Sequence, residues 1–128
     1  MVLVSYAAMT KTPISPSDLP ALKGKWVGTR TLGTGTVLNT DLEILNDTLP
    51  LKGKFIFYDV ARRGAMKGTD TIEYPNGEIN KEGALVFRGK VAEKNFFELS
   101  LYKDDGKMKL DGDLYLMGFR GKMTINKK

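Results

Sequence analysis

The chain of 128 residues contains neither cysteine nor histidine. Without cysteine there are no disulfide bonds, no thiolate zinc sites and no cysteine nucleophile. Without histidine the commonest general base and metal ligand is missing, so a Ser-His-Asp triad and a haem held by a proximal histidine are both excluded. Catalysis would have to rest on acidic, tyrosine, lysine or arginine side chains, and no grouping of these picks out a reaction. We therefore expect a protein without enzymatic activity, catalytic residues, metal or cofactor.

The sequence also lacks a helical period longer than one turn, and it has no apolar run long enough to span a membrane. A single helical turn is expected at about 15–20, because Ser15 suits the N-cap, Pro16 the first helical position and Asp18 the third. Pro20 is expected to end this turn. Residues 1–14 are predicted to be a flexible segment and residues 15–128 a single domain.

The compartment is left open by the absence of cysteine, which suits the cytosol and the periplasm equally. Within the N-terminal segment, Tyr6-Ala7-Ala8-Met9 resembles the small-residue cleavage region of a signal peptide. This resemblance favours export to the periplasm or the extracellular space.

A five-residue pattern recurs along the chain: apolar, charged, glycine, charged, apolar. Its copies are Leu22–Trp26, Leu51–Phe55, Phe87–Val91, Leu110–Leu114 and Phe119–Met123. In a strand, this order places the apolar residues and the glycine on one face and the two charges on the other. Glycine within a strand is typical of tight bending or of a close approach between backbones, and such kinks curl a sheet into a barrel.

Eight short segments with this alternation follow one another from Leu22 onwards. They lie at about 23–32, 36–46, 51–60, 67–74, 84–91, 96–102, 108–116 and 119–126. Turn signals separate them, among them Gly33-Thr34-Gly35, Pro75-Asn76-Gly77 and Asp104–Lys107. We predict an all-β fold, an eight-stranded antiparallel up-and-down (meander) barrel with a short N-terminal helical turn. A barrel of this size has room for packed side chains or for one small ligand.

The last two segments specify their own register. If Met117-Gly118 is a two-residue loop, the apolar residues and glycines of both strands fall on one face. The predicted pairs are Leu116 with Phe119, Leu114 with Gly121, Gly112 with Met123 and Leu110 with Ile125. The same register places Asp113 opposite Lys122 on the outer face, as a small favourable cross-strand pair.

Gly24-Lys25-Trp26, at the head of the first strand and after a short N-terminal turn, resembles the Gly-x-Trp opening of lipocalins and avidins. These families belong to the calycins, together with the fatty-acid-binding proteins. The resemblance implies a lipocalin-like barrel that holds a small ligand. It also implies that a basic residue of the last strand, Arg120 or Lys122, packs over Trp26. Avidin-type biotin sites use several tryptophans, and this chain has one, so biotin is rejected.

Several polar residues fall on the inward face of the strands when every second residue is counted. Beyond Gly28 this parity points Arg30 into the barrel or its rim, and Thr40 faces inward on the second strand. The candidate ligand-binding residues are Trp26, Arg30, Thr40, Phe57, Asp70 and Tyr74. Several alternatives remain open. Arg30 and Asp70 could pair with each other, sit at the open end of the barrel, or be turned outward by a bulge, and the aromatic residues could form the core. An unpaired interior arginine would itself indicate an acidic ligand.

Two functions of different kinds follow. The first is binding of a small, largely apolar molecule, with or without an acidic group, inside the barrel. The second is an interaction module, in which outward aromatic and basic residues bind a protein, a polysaccharide or a second copy of the chain. The outward aromatic residues are Tyr58, Phe96, Tyr102 and Tyr115. The net charge of +5 is spread along the strands, which favours a solvated exterior over binding of nucleic acid.

Overall fold

The computed structural model describes residues 9–61, 66–89, 95–116 and 119–128. A short 3₁₀ turn, Pro16–Asp18, leads into the helix α1, Leu19–Leu22. The strands are β1 Thr10–Thr12, β2 Gly24–Leu32, β3 Val37–Ile44, β4 Leu51–Ala61, β5 Lys67–Ile79, β6 Leu85–Arg88, β7 Asn95–Asp104, β8 Lys107–Leu116 and β9 Phe119–Lys127.

The strands β2 to β9 form a closed barrel. Each pairs in antiparallel fashion with the strand that follows it in sequence, and β9 returns to pair with β2. The predicted eight-stranded up-and-down barrel is therefore confirmed. The β7–β8 hairpin turns at Asp105-Gly106, where Gly106 has a φ of 81° that a glycine adopts without strain. The predicted strand at 84–91 corresponds to the shorter β6, Leu85–Arg88, and its last two predicted residues, 90–91, lie outside the described residues.

The register of β8 and β9 is the one that the sequence predicts. Leu110 pairs with Ile125, Gly112 with Met123, Leu114 with Gly121 and Leu116 with Phe119. On the outer face the amine of Lys122 lies 2.6 Å from a carboxylate oxygen of Asp113. Both side chains are partly exposed, so solvent screening keeps the contribution of this pair small. The loop Met117-Gly118 lies outside the described residues.

The helical segment closes one end of the barrel. Ser15 is its N-cap, and the Asp18 carboxylate accepts a hydrogen bond from the Ser15 backbone N–H at 2.9 Å, as expected for an acidic residue in a capping box. Lys103 of β7 also donates to Asp18, and mainly for that reason the pKa of Asp18 lies below its ordinary value. The expectation that Pro20 ends the helix is wrong. Proline in the first helical turn needs no backbone donor, so α1 continues to Leu22.

Part of the N-terminal segment predicted to be flexible is a strand. Residues 10–12 pair with Leu101, Tyr102 and Lys103 of β7, beyond the stretch of β7 that β6 covers. Backbone groups at that edge would otherwise lack strand partners, and β1 supplies them. Ile14 is buried, and its N–H donates to the Gly83 carbonyl at 2.9 Å. Residues 1–8, which include most of the cleavage-like region, lie outside the described residues.

The predicted turn at Pro75-Asn76-Gly77 is instead a bulge within β5. Tyr74 pairs with Gly53 and Gly77 with Leu51, so two residues of β5 oppose one of β4. The Asn76 side chain donates to the Arg88 carbonyl at 2.7 Å and so bridges β5 to β6 in place of a ladder bond. Proline is tolerated at a bulge because no backbone N–H donor is required at that position. The chain reverses later, at 80–83, where Gly83 has a φ of 81°.

Candidate functional site

The half of the barrel next to α1 is filled by side chains. Trp26 is fully buried there, and its indole N–H donates to the Leu22 carbonyl at 2.9 Å. Above it lies an aromatic cluster, in which Phe55 and Phe97 stack with ring centroids 4.2 Å apart and Phe87 meets Phe55 edge to face at 5.4 Å. Tyr74 also packs edge to face against Phe55. This half has the aromatic packing typical of a protein core.

The opposite half contains a cavity of about 490 Å³. Its wall comes largely from the ends of strands, with Leu32 of β2, Leu38 of β3 and Leu116 of β8, and these side chains are only partly buried. Within the described residues the cavity opens to solvent at the end of the barrel away from α1, which we call the open end. The remaining lining residues are Arg30, Thr36, Phe57, Asp59, Val60, Ala61, Lys67, Asp70, Ile72 and Asn95.

Arg30 is the buried charge of this cavity, with 4 % of its surface exposed. Its Nη1 donates to the Asn39 carbonyl at 2.5 Å, and its Nη2 donates to the Tyr58 carbonyl at 2.7 Å. The guanidinium carbon lies 5.1 Å from the centre of the Phe57 ring, within the range of a cation–π contact. Burial lowers the pKa of Arg30 below its ordinary value, and the negative charge of Asp59 opposes this effect.

An irregularity in β4 explains why these two carbonyls are available. The β3–β4 ladder extends only as far as the pair Thr40–Phe57. Between Phe57 and Val60 the register of β4 against β5 also shifts, and Asp59 within this bulge has a φ of 58°. This left-handed conformation is uncommon outside glycine, although aspartate is among the residues that tolerate it. The guanidinium thus takes the place of ladder bonds where β3 and β4 separate.

Three of the six predicted site residues line the cavity. Arg30 and Phe57 contact each other, and Asp70 pairs with Phe57 across β4 and β5. Arg30 does not form an ion pair with Asp70, which was one of the alternatives. Among the described residues no carboxylate lies within 4.0 Å of a guanidinium nitrogen of Arg30. The guanidinium instead uses backbone carbonyls.

The other three predicted site residues do not line the cavity. Trp26 lies in the filled half of the barrel, and the hydroxyl of fully buried Thr40 donates to the Ile56 carbonyl at 2.9 Å. Tyr74 belongs to the aromatic cluster, and its hydroxyl is buried with no hydrogen-bond partner in the described part of the chain. Burial raises the pKa of Tyr74, because it disfavours the phenolate. All three face inward as predicted, but at the level of the core.

Sequence reasoning missed the apolar collar of the cavity. Leu38 is the cross-strand partner of Arg30, and Leu32 and Leu116 lie nearer the open end. The sequence did contain a sign of these residues. Leu32 is two residues after Arg30 and Leu116 is two residues after Leu114, so each lies on the inward face of its strand. The expectation that Arg120 or Lys122 packs over Trp26 is wrong. Lys127 is the residue of β9 that pairs with Trp26.

Of the four outward aromatic residues, Phe96, Tyr102 and Tyr115 contact cations, whereas the Tyr58 hydroxyl donates to Asp41 at 2.8 Å. Arg88, Phe96, Tyr115 and Arg120 are successive cross-strand partners on β6, β7, β8 and β9. Arg88 lies over the Phe96 ring at 4.9 Å, and Arg120 lies over the Tyr115 ring at 5.5 Å. The two ring centroids are 6.3 Å apart. We call these four residues the outer row.

The fold and the site together define a closed eight-stranded up-and-down barrel with a cavity at one end. No protein-family model matches the chain, and neither a curated protein nor a solved structure matches it. No helix in the described ranges is long and apolar enough to cross a membrane. Within those ranges, no three acidic side chains are grouped so as to hold a metal ion.

Proposed function

We propose that this protein is a non-enzymatic, lipocalin-like carrier of a small, largely apolar molecule with an acidic group. The observation that carries the proposal is Arg30, a buried cation on the wall of an otherwise mostly apolar cavity. Removing a guanidinium from water is costly unless an anion or several acceptors compensate. Two backbone carbonyls accept from Arg30, which leaves further N–H groups for a ligand. A carboxylate at this position would receive a charge-assisted hydrogen bond inside a partly desolvated site.

The dimensions of the cavity agree with this role. Small-molecule pockets commonly measure about 300–1,000 Å³ and have apolar walls with a few polar groups, and the cavity of about 490 Å³ lies within that range. Two features support the lipocalin-like class. The strands close into an eight-stranded meander, and Gly24-Lys25-Trp26 opens the first barrel strand directly after α1.

The role of Arg30 is tested by comparing dodecanoate with dodecanol, which share a chain and differ in charge. Calorimetric titration is the suitable method, because Trp26 is buried in the filled half and does not report on the cavity. We expect the wild-type protein to prefer the acid and Arg30→Met to lose this preference. A hydrogen bond to a charged group contributes about 1.5–3 kcal/mol, so the affinity for dodecanoate should fall roughly tenfold to a hundredfold.

Lys67→Met is the matched control, because Lys67 is the other cation among the described lining residues and is exposed to solvent. We expect its affinity for dodecanoate to stay within about threefold of the wild type, since an exposed charge contributes little. Equal losses in both variants, or a wild-type protein that binds neither ligand, would contradict the proposal. If Arg30→Met does not fold, the preference of the wild type for the acid still decides the question.

A second candidate function uses the outer row as a contact surface for a polysaccharide, a protein or a second copy of the chain. Its aromatic rings and guanidinium groups are only partly buried or exposed, and these residue types are enriched at interfaces. We expect Tyr115→Ser to abolish self-association in sedimentation or retention on a glycan column. Tyr102→Ser is the control, because Tyr102 also contacts a cation, Lys109 at 4.9 Å, but does not belong to the outer row. This variant should abolish neither self-association nor retention. A wild-type protein that is monomeric and is not retained would remove this candidate.

A further inference from the structure

We infer that the binding site extends beyond the cavity into a second, apolar subsite at the rim, and that the acid carries a linear chain which ends there beside Phe119. This inference rests on the proposed function, and it adds the shape of the ligand and a residue that selects for its length. The subsite is a groove of about 590 Å³ between the β2–β3 turn and the ends of β8 and β9. Its apolar wall includes Leu32, Leu114, Leu116 and Phe119.

Phe119 is the unusual member of this wall. It continues the inward series of β9, since Gly121, Met123 and Ile125 are buried at every second position. Nevertheless 71 % of its surface is exposed. An aromatic side chain that continues the inward series of a barrel strand and is largely exposed is available to contact a ligand.

The groove adjoins the cavity, because Leu32 and Leu116 line both spaces. In the proposal, an apolar chain passes over these two leucine side chains from the cavity into the groove. The register gives the distance. Arg30 pairs with Met123 of β9, and Phe119 lies four residues nearer the open end, which corresponds to about 13 Å along a strand.

This distance distinguishes short from long ligands. We take this backbone separation as the span of the ligand, so a chain with its carboxylate at Arg30 must extend about 13 Å to reach Phe119. Octanoate is shorter than this span and stays within the cavity, whereas dodecanoate exceeds it and enters the groove. Each further methylene that leaves water should raise the affinity by roughly fourfold when it is fully buried.

The experiment is a calorimetric titration of the full chain with octanoate and with dodecanoate, each below its micelle concentration. For Phe119→Ser we expect the affinity for dodecanoate to fall about tenfold, since the tail loses its apolar contact. The affinity for octanoate should remain within about twofold of the wild type. Because Phe119 is largely exposed, the substitution should leave the fold intact, and a circular dichroism melt verifies this.

Val37→Ser is the matched control. Val37 is also an apolar residue near the open end and 58 % exposed, but it faces outward and lines neither the cavity nor the groove. It should bind both acids like the wild type. Equal changes for octanoate and dodecanoate in Phe119→Ser, no change for either, or the same loss in Val37→Ser would overturn the rim subsite and leave the proposed function standing. A wild-type protein that binds neither acid would overturn the proposed function, and the subsite with it.

Discussion

Replacing Phe55 by alanine is expected to lower the free energy of unfolding by about 3–5 kcal/mol, the usual cost of truncating a buried phenylalanine. Phe55 is fully buried at the centre of the aromatic cluster, where it contacts Phe57, Tyr74, Phe87 and Phe97. The strands of a closed barrel are held on both sides, so the wall cannot readily collapse into the space left behind. Since domains are typically stable by only about 5–15 kcal/mol, this variant should be close to unfolding at elevated temperature.

Urea unfolding followed by the fluorescence of Trp26 measures this effect, because Trp26 is buried and is the only tryptophan. Phe119→Ala provides the same chemical change at a position that is 71 % exposed, and its effect should stay within about 0.5 kcal/mol. Similar small losses in both variants would contradict a filled half of the barrel. In that case the cavity would extend past Arg30 as far as α1.

The parts of the fold that depend on regular alternation were predictable. The β8–β9 hairpin is the clearest case, because one choice of loop length places every apolar residue on one face and brings Asp113 to Lys122. A shift by one residue would reverse both faces of the strand, so the hydrophobic pattern alone excludes the neighbouring registers.

The irregular places could not be predicted, because distant residues decide them. Pro75-Asn76-Gly77 has the composition of a turn, yet Asn76 bonds to the backbone of Arg88, twelve residues away, and the strand continues. The bulge at Asp59 is likewise stabilised from elsewhere, by Arg30 of β2 reaching the Tyr58 carbonyl. Local propensity contains no information about such contacts.

The candidate site shows the same division. Alternation correctly directed Arg30 and Phe57 inward, and it did so equally for Trp26, Thr40 and Tyr74. Alternation does not give the position of a residue along the barrel axis. That position depends on how strongly the strands tilt and how far each strand is staggered against the next. The residues of the filled half and those of the cavity therefore could not be separated before the pairings of β2 to β5 were known.

Gly112→Ala is expected to destabilise the barrel by at least about 3 kcal/mol, at the upper end of what overpacking costs. A Cβ atom at this position would lie about 1.8 Å from the Glu98 carbonyl oxygen and 3.0 Å from the Leu99 Cα. These are backbone atoms of the paired strand, so no side-chain rotation can relieve the clash, and β7 would have to move away from β8. The loss should appear in urea unfolding as a lower midpoint with an unchanged slope.

Gly33→Ala separates this steric effect from the general consequences of removing a glycine. A Cβ atom at Gly33 would meet only the Arg120 carbonyl oxygen, at 3.5 Å, which is an ordinary contact. The stability of this variant should therefore stay within about 0.5 kcal/mol of the wild type, or rise slightly because the unfolded chain loses freedom. If Gly112→Ala were as mild as Gly33→Ala, the recurring glycines would not be needed for β7 and β8 to approach so closely. Since that approach lets the sheet curve until β9 meets β2, closure of the barrel and the cavity at its open end would then need another explanation.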